Sequence, residues 1–432
     1  MIGKNRRKRS WIAAAVLAAG SLVFTSLPAA HAEVGVTSTQ IKLGTTLPLT
    51  GSASPGYNKL GDAMKAYFNY VNDNGGVYGR KITLVIKNDE YLPNLAVAKT
   101  NELILKDKVF ALVGALGTAN HQAVANAVGL GRRGIPDLFI NTGFSGFANP
   151  KQYPTTFTVL PSYAMEAKIM AQFIKENYAG KKLGLIYQDD EFGSDALKGF
   201  AQAGIKFDVT VPYASGSQSQ TTAPTWISKL SAGGAEVVVM FGVTSASGLA
   251  LATAGALKYT PKWILGSVGG DATTLRALGV PPAVLTGQIG LSPVPSPADT
   301  TDEYVKLFQE VNAKYNNNVA FDNNVLAGMN TAMLTVQALR AAGKNPTRKS
   351  LIAAMKTKGS TFVSSALVPL NYSATSNVGF NGYWFGQYDS TGVMKPLATG
   401  VVAYTTDSGT GPVVKSTFKR PAMPAKGLPT NS

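Results

Sequence analysis

The 432-residue chain contains no cysteine. Disulfides, thiolate nucleophiles and cysteine-held metals are thereby excluded. Histidine is almost as scarce, with His31 and His121 the only two. No pair stands at metal-ligand spacing, and any Ser-His-Asp arrangement in the processed chain would have to centre on His121. Charged residues make up only 15% of the chain, and 24 carboxylates face 40 Lys and Arg. These bases are scattered except at Lys181-Lys182 and in the tail. The excess therefore does not form the clustered face that nucleic-acid binding requires. No GxSxG elbow is present, and Gly114 and Gly117 spell neither GxGxxG nor a Walker loop, which argues against serine hydrolysis and nucleotide binding. Long apolar runs are missing too, apart from Ile12–Leu27.

That run belongs to what is present. Lys4, Arg6, Arg7, Lys8 and Arg9 precede it, Pro28 breaks it, and Ala30-His31-Ala32 follows. Basic region, apolar core and small-residue box read as an export signal cleaved before Glu33. The competing reading is an uncleaved anchor, since a bilayer span needs roughly 20 apolar residues. With residues 1–32 go five positive charges and no negative ones, taking the formal charge from +16 to +11. An exported chain without cysteine cannot be acylated at its cleavage point. The expectation is an exported protein of the periplasm or cell envelope, soluble after cleavage and not lipidated.

Hydrophobic content of 45% over this length supports two sizeable cores. The periodicity predicts strands over Gln40–Leu47, Lys81–Lys87, Val109–Val113 and Asp137–Asn141. Leu60, Met64, Tyr67, Phe68 and Val71 recur at helical spacing. Further helices are expected over Asn94–Lys106 and Asn120–Arg132. A second series has strands over Lys182–Tyr187, Lys206–Val211, Glu236–Phe241 and Lys262–Leu265, alternating with four helices. Strands alternating with helices of this length imply parallel sheets with right-handed crossovers. A Pro-rich stretch with a strand-like Leu285–Leu291 follows. Then come helices over Asp302–Tyr315, Val325–Ala342 and Thr347–Met355, and a β-rich end.

Parallel α/β layers bind ligands at the loops leaving the carboxyl ends of their strands. In the Ala115–Asn120 loop, Thr118 offers a hydroxyl beside the free N–H groups that open a helix. This arrangement suits a carboxylate, or serves as a plain helix cap. Asp189-Asp190-Glu191 sits where a strand hands over to a helix and reads as a cap rather than a cation site. His121 could add positive charge near Thr118 or only cap.

IKLGTTLPLTG at Ile41–Gly51 and the segment Phe68–Thr118, FNYVNDNGGVYGRKITLVIKNDEYLPNLAVAKTNELILKDKVFALVGALGT, together resemble the branched-chain-amino-acid type of solute-binding protein serving ABC importers (periplasmic binding fold type I). The likeness extends to about Leu397. It implies an α/β fold of two Rossmann-like lobes with parallel sheets flanked by helices and three interlobe crossings, near Thr158–Pro161, Ile289–Pro293 and Ser364–Pro369. Lobe 1 would take residues 33–159 and 292–364, and lobe 2 residues 160–291 and 365–416. Residues 417–432 are expected to form a flexible tail.

The resemblance also implies a site. Thr118, with Leu116 in its loop, and Gly143, Phe144 and Ser145 after the next strand would grip a ligand carboxylate. Phe192 takes the place of an aromatic in the second lobe, Thr244 a wall position, and Tyr57 the first loop. Relatives that bind amino acids carry an acid where this chain has Val268, with Asp271 three residues on. A buried ammonium without a charge partner is costly, so an apolar or aromatic carboxylate, or an amide, is expected over an ordinary amino acid. The implied protein is a monomer without cofactor or metal, delivering a small-molecule ligand to an ABC permease and ATPase by hinge closure. A ligand-sensing receptor, a leucine-type receptor using Asp271 and a secreted hydrolase built on His121 are the alternatives.

Overall fold

A computed structural model describes residues 33–406 and 409–430 of the chain; the expected leader at 1–32 lies outside the described residues. Five strands form the first sheet: β1 (Gln40–Leu47), β2 (Lys81–Asn88), β3 (Ala111–Val113), β4 (Asp137–Ile140) and β5 (Thr156–Thr158). All are parallel, in the order β2-β1-β3-β4-β5. Helices α1 (Leu60–Asp73), α2 (Pro93–Leu105), α3 (Thr118–Ala123) and α4 (Leu130–Arg133) connect them, with a π-helical stretch between the last two. The apolar face anticipated for α1 is buried, from Leu60 to Val71. Gly75 and Gly76 then turn the chain at φ +95° and +65°, a conformation that glycine adopts without a Cβ clash.

The second sheet is built the same way. It draws on α5 (Tyr163–Asn177), β6 (Leu183–Gln188), α6 (Glu191–Gln202), β7 (Val209–Tyr213), α7 (Ala223–Ala232), β8 (Val237–Phe241), α8 (Thr244–Ala256), β9 (Lys262–Leu265), the short α9 (Ala272–Ala277) and α10 (Pro282–Leu285), and β10 (Ile289–Ser292). Helices α11 (Glu303–Tyr315), α12 (Asn323–Ala341) and α13 (Arg348–Lys358) follow, and α11 and α12 pack on α1 of the first lobe. Strands β11 (Tyr383–Tyr388), β12 (Met394–Pro396), β13 (Ala403–Thr405) and β14 (Val414–Lys415) then join the second sheet antiparallel. Its order is β14-β13-β11-β10-β9-β8-β6-β7.

Three placements differ from expectation. The third passage falls near residues 380–383, not 364–369. Before it, Tyr372 donates to the Thr158 carbonyl, Asn377 to the Tyr153 carbonyl, and the Phe380 N–H to the Val159 carbonyl. These bonds hold the segment against the first lobe. Strand-like Leu285–Leu291 begins as a helical turn, because Pro282 suits a first helical turn and supplies no ladder donor. The expected loose tail is docked: Arg420 pairs with Asp302 at 2.5 Å and donates to the Ser365 carbonyl, while Tyr67 and Tyr70 donate to the Gly427 and Lys426 carbonyls. The chain thereby returns to the first lobe after β14.

Candidate functional site

In the first sheet the strand order reverses between β1 and β3, and in the second between β6 and β8. A doubly wound sheet opens a crevice at such a switch point, beyond the carboxyl ends of the strands. Tyr57 follows β1 and Thr118 opens α3 after β3; Phe192 lies in the first turn of α6 after β6, and Thr244 starts α8 after β8. The two crevices face each other.

They also touch. The Tyr57 hydroxyl donates to the Val268 carbonyl at 2.8 Å, and Thr244 Oγ1 lies 3.3 Å from both groups. Gln188 Nε2 donates to the Tyr91 hydroxyl at 3.4 Å. Ser145 donates through its N–H to Asp195 Oδ2 at 2.9 Å and through its hydroxyl to the other oxygen. Asp271 Oδ1 caps α9 through Thr274 N–H at 2.6 Å, while Oδ2 accepts the Asn323 N–H of α12 at 2.9 Å.

Thr118 and Thr142 share a hydrogen bond of 2.7 Å, and both are buried. Tyr163, first residue of α5, reaches into this group. Burial pushes its hydroxyl up to about 12, opposed by hydrogen bonding with Thr142, the Gly143 backbone and Thr118. Its N–H donates to the Gly143 carbonyl at 2.7 Å, and a Cβ on Gly143 would lie 2.3 Å from the Pro161 carbonyl oxygen. The expected carboxylate pocket is thus lined by hydroxyls that bond one another. Phe192 packs in the second lobe against Tyr163 and Phe241 with tilted rings, centroids 4.6 and 5.1 Å away. Phe144 packs edge-on to Phe147, and buried Leu116 bridges to Asn141.

Beside these contacts a cavity of about 90 Å³ lies between the lobes, walled by the interlobe passages Val159-Leu160 and Leu291–Val294 and by Phe380. Of the expected residues, Tyr57 and Asp271 line it. Asn141, Ser267, Asn323, Asn324 and Asn330 line it as well and were not anticipated. The Asn pair follows Asp322 directly, and starting the helix at its cap rather than at Val325 would have brought it into the first turn. Glu166, fully buried beneath the floor, accepts from Ser267 N–H (2.6 Å), Ser267 Oγ (2.9 Å) and the Tyr383 hydroxyl (3.0 Å); burial raises its pKa.

Asp190 caps α6 by accepting the Phe192 N–H at 2.9 Å, as the sequence suggested. His121 is buried in the first lobe, Nε2 3.4 Å from Asp137 Oδ1, and is not among the cavity's lining residues. Nearby Asp89 is pushed up to about 6, chiefly by burial and against the Tyr91 N–H it accepts. Among the described residues no cluster of His, Asp and Glu could hold a metal ion, and no helix is long and apolar enough to cross a membrane.

Comparison with known proteins converges with this geometry. Residues 40–393 match the family described as periplasmic binding protein. A Leu/Ile/Val-binding protein homolog 7 of Brucella abortus is 23% identical over 261 residues, 58% of this chain. The chain spans 64% of that relative's length. A fatty acid ABC transporter substrate-binding protein from Thermomonospora curvata superposes with a TM-score of 0.73 at 20% identity, covering 88% of this chain and 95% of that one. A branched chain amino acid ABC transporter from Thermus thermophilus with bound valine gives 0.74 at 18%, covering 87% and 98%. With two facing α/β lobes and a family match over most of its length, the chain belongs to the periplasmic binding protein family.

Proposed function

We propose that the protein is the exported solute-binding receptor of an ABC importer, trapping a small organic solute between its lobes and handing it to a membrane permease driven by an ATPase. The observation that carries this reading is the cavity at the meeting of two switch-point crevices, ringed by hydrogen bonds running directly from lobe to lobe. Bonds of this kind form only when the lobes meet, so a solute that fills the space between them shifts the population toward the closed form. Nothing in this scheme makes or breaks a covalent bond. Ser145 and Asp195 act as a latch at the lip, Tyr57, Thr244 and Val268 as a second one, and Asp271 with Asn323 as a third.

The relatives fit a receptor but point to different solutes, valine in one and a fatty acid in another. The fold alone does not choose between them. A monomer processed at Glu33, without acylation, completes the reading. A thermal-shift screen across amino acids, amides, urea, and aliphatic and aromatic carboxylates tests it. A solute at 100 times its dissociation constant should add about 2.7 kcal/mol to the folded state. A protein unmoved by every class would count against a receptor.

A further inference from the structure

On the reading that the cleft holds a solute, we infer that the chamber is built for an uncharged carboxamide-type group, a primary amide or a urea, rather than for a carboxylate or an α-amino acid. The polar groups in and around the chamber lead there.

Among the described residues no Lys, Arg or His lines the chamber, and Asp271 supplies its only carboxylate. A buried carboxylate ligand would find no cationic side chain and would face the Asp271 carboxylate, with only the partial positive charge at the amino end of α12 to offset the cost. Asp271 is in turn engaged on both oxygens, by Thr274 N–H and Asn323 N–H. Ser267 is spent on Glu166, and Ser292 donates to the Val294 carbonyl. The expected grip around Thr118 is closed on itself through the hydroxyl of Thr142.

What is left unengaged is carboxamide. Asn324 is only 7% exposed, lines the chamber, and its side chain has no hydrogen-bond partner among the described residues. The half-buried side chains of Asn141 and Asn323 likewise have no hydrogen-bond partner among the described residues. Asn330, also in the lining, uses its oxygen for Ser365, at 2.9 Å to N and 3.0 Å to Oγ, and has its amino group to spare. Of the three unpartnered side chains, Asn324 is the buried one, and a buried polar group is nearly always satisfied, so its amide is the group most in want of a solute partner. The amino end of α12 adds direction: Asp271 takes the Asn323 N–H and Asp322 the Val325 N–H, leaving the Asn324 N–H free.

An amide ligand matches this set. Its carbonyl oxygen accepts from Asn324 and from the free first-turn N–H, and its NH2 group donates to the carboxamide oxygens opposite. Each donor meets an acceptor and no net charge is buried. The apolar wall of Val159, Leu160, Leu291, Val294 and Phe380 receives a short hydrocarbon portion. At about 90 Å³, the space is well above the roughly 10–15 Å³ that a single water needs and suits a small solute.

The test is calorimetry on the full processed protein with matched probes: isobutyramide, isobutyrate, isobutylamine, methylurea, benzamide, valine and leucine. The expected result is saturable binding of at least one amide or urea, with its matched acid and amine at least tenfold weaker. Asn324→Leu should lower amide affinity at least tenfold while the melting temperature of the free protein stays within a few degrees. Asn324→Asp, which is isosteric and so guards against a misfolded leucine variant, should turn the preference toward isobutylamine. Isobutyrate, valine or leucine binding as tightly as the amides overturns the inference and leaves the receptor reading standing. So does amide binding indifferent to both Asn324 variants. If none of the probes binds the inference also fails, and the receptor reading is then judged by the broader screen alone.

Discussion

Tyr57 of the first lobe donates its hydroxyl proton to the backbone carbonyl of Val268 in the second, at 2.8 Å. Val268 stands where related amino-acid receptors were expected to place a carboxylate, and here the position contributes backbone, not charge. The hydroxyl is buried and held far above the ordinary tyrosine range, by desolvation first. It remains a donor at every physiological pH. Tyr57→Phe should therefore loosen the lobes without unfolding either. The expected cost is about 1 kcal/mol, rising when Thr244→Val also removes the neighbouring hydroxyl that can reach the same carbonyl. Urea denaturation and an interlobe distance measurement on both variants check this; unchanged distances in the double variant would remove the latch role.

Ser145 and Asp195 form a second contact of this kind. A hydrogen bond to a charged group contributes roughly 1.5–3 kcal/mol. A double-mutant cycle with Ser145→Ala and Asp195→Asn should return a coupling of that order. Burial raises the Asp195 pKa and the Ser145 bonds pull it back, so Ser145→Ala should raise it further in a carboxyl NMR titration. A fall would contradict the assignment.

Asp89 supplies a pH dependence. Its carboxyl is pushed up from 3.8 to about 6, first by burial, so the folded protein binds a proton more tightly there than the unfolded chain does. Its contribution is fully present below pH 3.8 and is lost as pH rises through 6. Asp89→Asn should remove that slope and raise stability at pH 7.5, by an upper bound of about 3 kcal/mol for a two-unit shift. Denaturation curves at pH 4, 5 and 7.5 show whether it does.

The docked tail is a stability element. Arg420 pairs with Asp302, donates to the Ser365 carbonyl and lies 4.8 Å over the Tyr304 ring. Arg420→Ala should cost about 1–3 kcal/mol, and deleting residues 418–432 should cost more, because Tyr67 also loses the Gly427 carbonyl. A deletion with an unchanged melting temperature would show the docking to be incidental.

Much of the fold was legible because helical and strand periods are local. The apolar stripe Leu60–Val71 had to be buried, and lies against β2 and helices α11 and α12, while Asn74-Gly75-Gly76 could only turn. Asp190 as a cap was readable from its place between strand and helix. The site was less so. Asn323 and Asn324 look like any polar helix start until the fold brings Asp271 onto the same turn. Tyr163 reads as a core aromatic, yet its position at the start of α5 sends it into the Thr118–Thr142 group. The tail's Pro, Lys and Ser composition suggests a loose end, and only the tertiary partners of Arg420 and Gly427 reveal otherwise. Residues that are distant in the chain and meet only in the fold leave no local trace.

The claim on which the rest depends is that the two lobes close on a solute. The absence of cysteine makes it measurable directly, since Asp62→Cys on α1 and Ser228→Cys on α7, both exposed, can be labelled without competing thiols. Pulsed electron–electron spin resonance on the labelled pair, with and without a solute that calorimetry shows to bind, should give a broad distance distribution for the free protein. Addition of the solute should collapse it to a single shorter distance, and Tyr57→Phe should weaken that collapse. A bound solute that leaves the distribution unchanged would contradict a receptor that works by closure.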